Sequence, residues 1–357
     1  MKEKKWAHRG AGRWIALLLC VAMIADGCQI PAKSTAQEEK TAAVQVQEKT
    51  DRMTGKGDAA TPVAQHGALR VDGTDLVDSR GQKFQLKGVS THGIAWFPQY
   101  VNKDAFQTLR DQYHANAIRL AMYCNANDGY GPDVVKKVQE GVQYATELGM
   151  YVIIDWHLLT DGNPNRRKKA ATKFFTKMAK AYASQDNVLY EICNEPHGNV
   201  TWNKHIKPYA KAMLKTIRKY DKNAVVIVGT PTWSQDVDLV AKSPLKGQKN
   251  IMYALHFYAA THKDAIRNKL ITAHKKGLPV IVSEFSICDA SGNGALDKAS
   301  ANQWMKLLNK YNISFFAWSL CNKNESSALI APNCNKTSGW EKSDFSAAGK
   351  WFINQLK

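Results

Sequence analysis

The chain has 357 residues, of which 44% are hydrophobic and 22% are charged. This composition excludes a disordered or fibrous protein, because a chain of this length with so much apolar material can bury a large core. The formal net charge of +18 leaves an anionic partner open at this point, either nucleic acid or a membrane surface.

Residues 1–28 have the features of an export signal. A basic start is followed by the apolar run WIALLLCVAMIA at 14–25, which is shorter than the roughly 20 residues of a membrane-spanning helix. A short anchor that stays on the protein is the alternative. The pair Gly27-Cys28 resembles a bacterial lipoprotein processing site, at which Cys28 would be lipidated, although Asp26 replaces the usual small residue. The sequence thus predicts a secreted or cell-surface protein and leaves lipid attachment to a membrane open.

Residues 29–66 contain no aromatic residue and are rich in Ala, Gln, Glu, Lys and Thr. Such a segment buries too little surface to fold alone, so we predict a flexible tether, followed by one folded domain over residues 67–357. The domain has no CxxC motif and no cysteine–histidine spacing typical of zinc sites. We expect its cysteines to be small buried residues, with a Cys288–Cys321 bridge as the alternative. They are Cys124, Cys193, Cys288, Cys321 and Cys334.

Eight short apolar runs, rich in β-branched residues, are typical of strands buried on both faces. They are FQLKGVS (84–90), AIRLAMY (117–123), YVIIDWH (151–157), VLYEICNE (188–195), AVVIVGT (224–230), IMYALHFY (251–258), PVIVSEF (279–285) and ISFFAWSL (313–320). Amphipathic helical stretches separate most of them, at 103–114, 133–148, 168–183, 203–220, 263–276 and 299–310, and a last one lies at 344–356. This alternation predicts an α/β fold, a single (β/α)8 TIM barrel, with a hairpin at 69–83 ahead of its first strand.

The ends of the predicted strands carry polar and aromatic side chains far more often than a core would need. In (β/α)8 barrels the carboxyl ends of the strands form the active site. Any one of these residues has a structural explanation, but a whole rim of them does not share one. They are His92, Arg119, Tyr123, His157, Asn194, Glu195, Trp233, His256, Tyr258, Glu284 and Trp318.

Two carboxylates stand out, because Glu195 and Glu284 end the predicted strands four and seven. Facing carboxylates repel each other, which separates their pKa values into an acid and a base, as glycoside hydrolysis requires. A retaining mechanism needs the two groups about 5–5.5 Å apart, whereas inversion needs a wider gap. The sequence has no phosphate-binding loop, GxSxG elbow, HxH or HExxH motif, so we predict no metal and no cofactor. A metal shared by His92, His157 and His256, on three predicted strands, is the alternative.

Aromatic residues on the same rim favour a sugar substrate, because a flat apolar ring can stack on the CH face of a pyranose. Each of them alone could equally be a core residue. Beside the glutamates and histidines of the strand ends, the group favours a carbohydrate. The residues are Trp96, Tyr123, Trp233, Tyr258 and Trp318.

With these motifs, the chain resembles the family 5 glycoside hydrolases, specifically their bacterial endo-β-1,4-glucanase (cellulase) branch. The resemblance covers nearly all of residues 67–357. It departs at the usual Glu-Trp-Gly ending of strand seven, which is Glu284-Phe285-Ser286 here, and at Cys193, where alanine is usual. The motifs that carry it are LKGVSTHGIAWFPQYVN, AIRLAMYCN, YVIIDWHLLTDGNPN, LYEICNEPHG, IVGTPTWSQDVD, YALHFYAATHK, VSEFSICDASGNG and WSLCNKNESSALI.

The resemblance implies a role for each matching residue. Glu195 would be the acid/base and Glu284 the nucleophile of a retaining hydrolysis. The residues that would hold this pair and the sugar at the cleavage site are Arg119, His157, Asn194, His256 and Tyr258. Those that would bind substrate elsewhere are His92, Trp96, Phe97, Tyr123, Trp318, Lys323, Asn324 and Glu325 on the non-reducing side, Ala290 and Ser291 in the loop after strand seven, and Trp233 on the leaving-group side.

The expected partner is therefore a β-1,4-glucan, and the expected oligomeric state is a monomer. Three alternatives remain: another β-glycan such as mannan, lichenan or xyloglucan, a non-catalytic carbohydrate-binding barrel, and a nucleic-acid-binding protein. The last rests only on charge, and the basic run at 166–169 is better explained as a solvated helix start, so we predict no nucleic acid. Residues 1–66 carry ten basic and seven acidic side chains, which leaves +15 on the barrel.

Overall fold

The structure is a computed structural model that describes residues 60–357. The predicted signal segment, Cys28 and residues 29–59 of the predicted tether lie outside the described residues. Among the helices of residues 60–357, none is long and apolar enough to cross a membrane.

Eight parallel strands close into a barrel, as predicted. Neighbouring strands follow the order of the chain, and the last strand pairs with the first. Because every crossover joins adjacent parallel strands, all carboxyl ends open at one end of the barrel. The strands are β3 Lys87–Thr91, β4 Ala117–Tyr123, β5 Tyr151–His157, β6 Val188–Glu191, β7 Val226–Val228, β8 Ile251–Tyr258, β9 Val280–Ser286 and β10 Phe315–Leu320.

Helices cover the outside of the barrel and bury their apolar faces against the strands. In one such contact, Trp304 stacks on Phe257 with ring centroids 3.9 Å apart. Short 3-10 or π-helical turns occupy Pro98–Tyr100, Ala126–Asp128, Pro164–Arg167, Trp202–Ile206 and Lys342–Asp344. A turn with left-handed residues occupies Pro231–Ser234. The helices that follow a short amino-terminal helix, α1 Pro62–His66, are α2 Lys103–Tyr113, α3 Pro132–Glu147, α4 Lys168–Tyr182, α5 Lys207–Arg218, α6 Val237–Val240, α7 Asp264–Lys275, α8 Lys298–Lys310 and α9 Ala347–Ile353.

The predicted amino-terminal hairpin is present, and it closes the floor of the barrel. Its strands, β1 Arg70–Asp72 and β2 Asp75–Val77, pair antiparallel. Leu69 and Leu76 pack with Phe84 and with apolar residues from the beginnings of the barrel strands. The hairpin therefore seals the end of the barrel opposite the predicted active site.

The folded part begins before the predicted boundary at residue 67. Helix α1, Pro62–His66, lies within the stretch predicted as tether. The Val63 N–H donates to the Gly149 carbonyl at 2.9 Å, and the Val63 side chain packs on the floor cluster. One valine and a few backbone hydrogen bonds thus anchor a segment that has no aromatic residue.

Four strands are shorter than predicted: the first begins at Lys87, the fourth ends at Glu191, the fifth is Val226–Val228, and the eighth begins at Phe315. After Glu191 the chain leaves the strand and crosses the segment that follows β7, where a side chain on Gly229 would lie 2.2 Å from the Cys193 carbonyl oxygen. The apolar pattern continues through 192–193 because these residues are buried in the loop, so periodicity alone does not reveal the end of the strand.

The five cysteines of the described region are free and buried, as expected, and the alternative Cys288–Cys321 bridge is not formed. In the described residues, Cys288 donates to the Ser286 hydroxyl at 3.3 Å, and Cys321 lies 3.6 Å from the Ser319 hydroxyl. Burial raises the pKa of the Cys321 thiol to about 11, which disfavours its thiolate at neutral pH.

Gly149 should be more costly to substitute than Gly277, although both have positive φ, +62° and +79°. An alanine side chain at 149 would lie 2.1 Å from the Thr61 hydroxyl, whereas nothing lies within 4 Å at 277. We expect Gly277→Ala to cost about 1–2 kcal/mol for the left-handed backbone. Gly149→Ala should cost about 1 kcal/mol more, because Thr61 caps helix α1. Urea denaturation of both variants measures the difference, and equal losses would contradict the contact.

Candidate active site

A cavity of about 910 Å³ opens at the carboxyl ends of the barrel strands. Arg119 and Asn194 are fully buried outside its lining, and Asn324 is exposed and does not line it. A larger cavity of about 1170 Å³ lies on the floor side and contains none of the predicted site residues. The predicted residues that line the upper cavity are His92, Trp96, Phe97, Tyr123, His157, Glu195, Trp233, His256, Tyr258, Glu284, Ala290, Ser291, Trp318, Lys323 and Glu325.

The two glutamates lie close together in this cavity. One carboxylate oxygen of Glu195 and one of Glu284 are within 4.8 Å of each other. Glu284 accepts hydrogen bonds from the Tyr258 hydroxyl at 2.9 Å and from Arg119 Nη1 at 3.3 Å. The other glutamate, Glu195, lies 3.0 Å from His256 Nδ1. Carboxylates this close are typical of a retaining pair, whereas inversion needs a wider gap for a water molecule.

Glu195 does not lie on a strand but in the loop after β6, and contacts with the next loop hold it in place. The Ser234 hydroxyl donates to the Asn194 carbonyl at 2.6 Å, and the Trp233 N–H donates to the Pro196 carbonyl at 3.0 Å. Trp233 has φ +52°, in the left-handed region that non-glycine residues rarely adopt. Its ring stacks on His197, with centroids 4.9 Å apart and an interplanar angle of 5°.

Arg119 is the fully buried cation beneath the two glutamates. Besides Glu284, it donates from Nε to Glu191 at 2.7 Å and from Nη2 to the Asn194 side-chain oxygen at 2.6 Å. Nη2 also pairs with Asp155 at 3.0 Å. Burial alone would lower the pKa of Arg119, but Asp155, Glu191 and Glu284 together raise it above its usual value, so the guanidinium stays charged.

The buried carboxylates that face Arg119 respond in opposite directions. Burial alone would raise the pKa of Glu191, but Arg119 and His256 outweigh it and hold the pKa at about 2. For Asp155, burial dominates and keeps the pKa well above its usual value, with Arg119 opposing it. Glu191 is therefore the carboxylate whose negative charge the site stabilises most.

The two buried histidines of the site differ in charge. Burial and Arg119 lower the pKa of His157 to about 3, so its ring is neutral. The Asn194 amide nitrogen lies 3.2 Å from its Nε2, and Asp155 lies 2.7 Å from its Nδ1. Burial would also lower the pKa of His256, but Glu191 and Glu195 outweigh it and raise the pKa to about 9, so this ring is cationic at neutral pH.

Four supporting residues were not predicted from the sequence: Asp155, Glu191, Ser90, whose hydroxyl accepts from Arg119 at 3.2 Å, and Ser283, whose hydroxyl donates to Glu191 at 2.7 Å. Asp155 and Glu191 lie inside the apolar runs of strands β5 and β6, and both are fully buried. A carboxylate on a buried strand is costly unless it is paired. That cost was the available signal, because it implies a buried cation such as Arg119.

Aromatic rings flank the glutamates. Trp96 and Tyr123 pack edge to face with centroids 4.6 Å apart, and Trp318 stacks on His157 at 5.2 Å. Residues 60–357 have four exposed large hydrophobic side chains, and three of them line the cavity: Trp96, Leu159 and Trp233. Exposed apolar faces of this kind are typical of a ligand-binding surface rather than of a core.

Glu325 lies at the same wall, where Lys323 pairs with it at 2.6 Å and the Ser327 hydroxyl donates to it at 3.0 Å. Its Oε1 is 3.6 Å from His92 Nε2. Burial alone would raise the pKa of Glu325, but His92 and Lys323 outweigh it and lower the pKa to about 2.

Two groups in residues 60–357 bring three metal-ligand side chains together: Glu195, His256 and Glu284, and His92, Cys321 and Glu325. The cationic ring of the first group has no free lone pair. In the second, His92 Nδ1 accepts the Gly93 N–H at 2.7 Å, which leaves the ring proton on the Nε2 that faces Glu325. The chemistry of these donors therefore does not favour a metal ion.

Two close carboxylates between aromatic walls, at the carboxyl end of a (β/α)8 barrel, are typical of glycoside hydrolases. Residues 77–324 match the family described as cellulase (glycosyl hydrolase family 5). The chain belongs to this family, as predicted.

Two relatives carry names that describe an activity. Endoglucanase N of Pectobacterium atrosepticum is 46% identical over 301 residues, which is 84% of this chain and 67% of that protein. Endoglucanase 5 of Pectobacterium carotovorum is 46% identical over the same share of this chain but 59% of that protein, so the chain spans about two thirds of the length of these relatives. The catalytic domain of Thermobifida fusca endoglucanase Cel5A, solved with cellotetraose, is 37% identical and superposes with a TM-score of 0.79 over 83% of this chain and 99% of that domain.

Replacing Arg119 by methionine should destabilise the protein by about 3–5 kcal/mol at pH 7, because it leaves buried carboxylates without their cation. The loss should shrink below about pH 4, where those carboxylates take up protons. The free energy of unfolding, measured by urea denaturation at both pH values, checks this. Arg70→Met removes an exposed pair with Asp72 and should cost less than about 1 kcal/mol. A loss that does not change with pH would contradict the charge argument.

Proposed function

We propose that this protein is an endo-acting β-1,4-glucanase that hydrolyses cellulose chains and soluble β-glucans with retention of configuration. The observation that carries the proposal is the separation of Glu195 and Glu284, whose nearest carboxylate oxygens lie within 4.8 Å. The names of the two Pectobacterium relatives, both endoglucanases, support the same substrate class.

In the first step, Glu284 attacks the anomeric carbon while Glu195 protonates the leaving oxygen. In the second, Glu195 takes a proton from water, which releases the sugar from Glu284. Hydrogen bonds from Tyr258 and Arg119 orient the Glu284 carboxylate for attack. Because Glu284 accepts a cationic hydrogen bond and Glu195 lies beside a titratable imidazole, the two acids have different environments for their two roles.

The cleft suits internal cleavage of a chain. The aromatic wall that includes Trp96 and Trp318 would bind glucosyl units on the non-reducing side, and exposed Trp233 would stack on the leaving-group side. Platforms on both sides of the glutamates let a glucan extend past the cleavage point in both directions. The cellotetraose complex of the Thermobifida fusca relative supports binding of this kind of ligand.

Glu284→Gln should abolish turnover and leave binding largely intact, because the amide keeps the shape of the carboxylate but is no nucleophile. We expect kcat on a soluble β-glucan to fall at least about 10⁴-fold. Glu140→Gln, a glutamate on helix α3 that does not line the cavity, is the control and should keep the normal rate. Wild-type turnover by Glu284→Gln would refute the proposed nucleophile.

The choice of β-glycan is tested on the wild-type protein. We expect a higher rate on carboxymethylcellulose than on mannan, lichenan or xyloglucan. A faster rate on one of these would identify that glycan as the preferred substrate, with the same catalytic pair. The absence of hydrolysis on every one of them would instead favour a binding barrel.

We also propose that the protein is exported and reaches the cell surface or the medium. The support is the apolar run at 14–25 behind a basic start, and Gly27-Cys28 after it. In a bacterial host, the mass of the mature amino terminus should show cleavage before Cys28 with an added lipid, and Cys28→Ser should lose that lipid. A mature protein that still begins at Met1 would exclude export by this signal.

A monomer is the oligomeric state we propose. Within residues 60–357, Leu239 is the exposed large hydrophobic side chain outside the cleft, which is too little apolar surface for a stable dimer interface. Size-exclusion chromatography with light scattering measures the mass directly.

A further inference from the structure

Glu191 is linked by hydrogen bonds to both catalytic glutamates, Glu195 and Glu284, although it does not line the cavity. One of its carboxylate oxygens accepts from Arg119 Nε at 2.7 Å, and Arg119 in turn donates to Glu284. The other oxygen accepts from the Ser283 hydroxyl at 2.7 Å. Ser283 lies 2.9 Å from His256 Nε2, and His256 Nδ1 lies 3.0 Å from Glu195.

The proton positions in this chain of contacts follow from what each group can donate. An ionised carboxylate only accepts, so the single proton of Ser283 points to Glu191. The serine oxygen must then accept from His256 Nε2, which therefore always carries a proton. It follows that Nδ1, the nitrogen that faces Glu195, is the one that gains and loses a proton.

From this geometry we propose that Glu191 is a positioning residue which, through Ser283, fixes the tautomer of His256, so that His256 Nδ1 and Glu195 share one proton. When Glu195 is protonated, it donates to the Nδ1 lone pair. When Glu195 is ionised, Nδ1–H donates to it. The shared proton stays between the two groups and supplies the acid for the first step. This inference rests on the proposed role of Glu195 as acid/base.

Several charged groups surround His256, and Glu191 is the one that sets the tautomer. Besides Glu191 and Glu195, the titratable groups of Glu284 on β9 and of Asp155 and His157 on β5 act on its ring. Of the carboxylates, Glu195 faces Nδ1, whereas Glu191 lies on the Nε2 side, 3.8 Å from Nε2 and bridged by Ser283. Glu191 is also the acid whose pKa is lowered to about 2, so its charge persists across the working pH range.

Glu191→Gln tests the proposal, because an amide can donate to Ser283 and so reverse the chain. Ser283 could then donate to His256 Nε2, and the single ring proton would lie on Nδ1. Glu195 would then no longer hold the shared proton. We expect kcat/KM on a soluble β-glucan to fall about 100-fold, within the range that general acid catalysis contributes. Loss of the Glu191 charge lowers the pKa of His256, so the alkaline limb of the pH profile should move to lower pH by about 1–3 units.

A second substrate separates this role from a merely structural one. An aryl β-cellobioside with a dinitrophenolate leaving group needs no proton for the first step, and kcat/KM reports that step. We expect Glu191→Gln to lose less than about tenfold on the aryl substrate, since the amide oxygen still accepts from Arg119. Ser283→Ala, which keeps the Glu191–Arg119 pair, should slow β-glucan hydrolysis about tenfold and leave the aryl substrate unchanged.

Asp221→Asn is the matched control, because it removes a buried carboxylate on the floor side, where Asp221 accepts from the Ala224 N–H at 2.9 Å. It should keep the wild-type pH profile, and thermal unfolding of all variants checks folding. Equal losses on both substrates with an unmoved alkaline limb would overturn the proposal and leave Glu191 as a structural ion-pair partner. Wild-type protein that hydrolyses neither substrate would refute the proposed function instead, so the two failures are distinguishable.

Discussion

The site depends on one buried cation. Arg119 has no exposed surface, and its guanidinium contacts Asp155, Glu191 and Glu284 together with the Asn194 side chain. Charges inside a barrel lose their hydration, so a carboxylate remains ionised only if attraction to a cation compensates for the lost hydration energy. The planar fork of an arginine can reach four acceptors at once, which a lysine cannot. Strands β4, β5 and β6 are adjacent, whereas β9 lies on the opposite side of the barrel, so the shared cation holds carboxyl ends from both sides in one arrangement.

Much of this architecture could be predicted from the sequence because it depends on periodic patterns. Continuous β-branched runs alternate with amphipathic stretches, and that alternation predicted the closed barrel. In such a barrel the active site lies at the carboxyl ends of the strands, so the residues there are the candidates. Glu195, Glu284 and the aromatic residues were found in this way. Their grouping in one cavity follows from parallel strands ending at the same side, not from any spacing in the sequence.

The parts that could not be predicted depend on contacts between distant segments. Asp155 and Glu191 fall inside apolar runs, and nothing local shows that Arg119 is the cation that pairs with them. Asn324 was placed in the site by its neighbours Lys323 and Glu325, but loop geometry turns it to solvent. Helix α1 escaped prediction because a single valine and its backbone contacts to Gly149 stabilise it, rather than an amphipathic pattern.

The net charge of the barrel and the charge of its cleft have opposite signs and separate causes. Residues 162–185 and 197–220, which include helices α4 and α5, carry thirteen Lys and Arg and no Asp or Glu. These side chains lie mainly on the exposed faces of those helices, where water and salt screen them within about 10 Å. The cleft holds Glu195, Glu284 and Glu325 above a buried layer in which Asp155 and Glu191 lie beside Arg119 and His256. A neutral glucan gains nothing from the exterior field, whereas the buried charges act on its reacting atoms at short range and low dielectric. The excess of lysine therefore bears on how the protein behaves in solution, and the few unscreened charges under the cleft bear on catalysis.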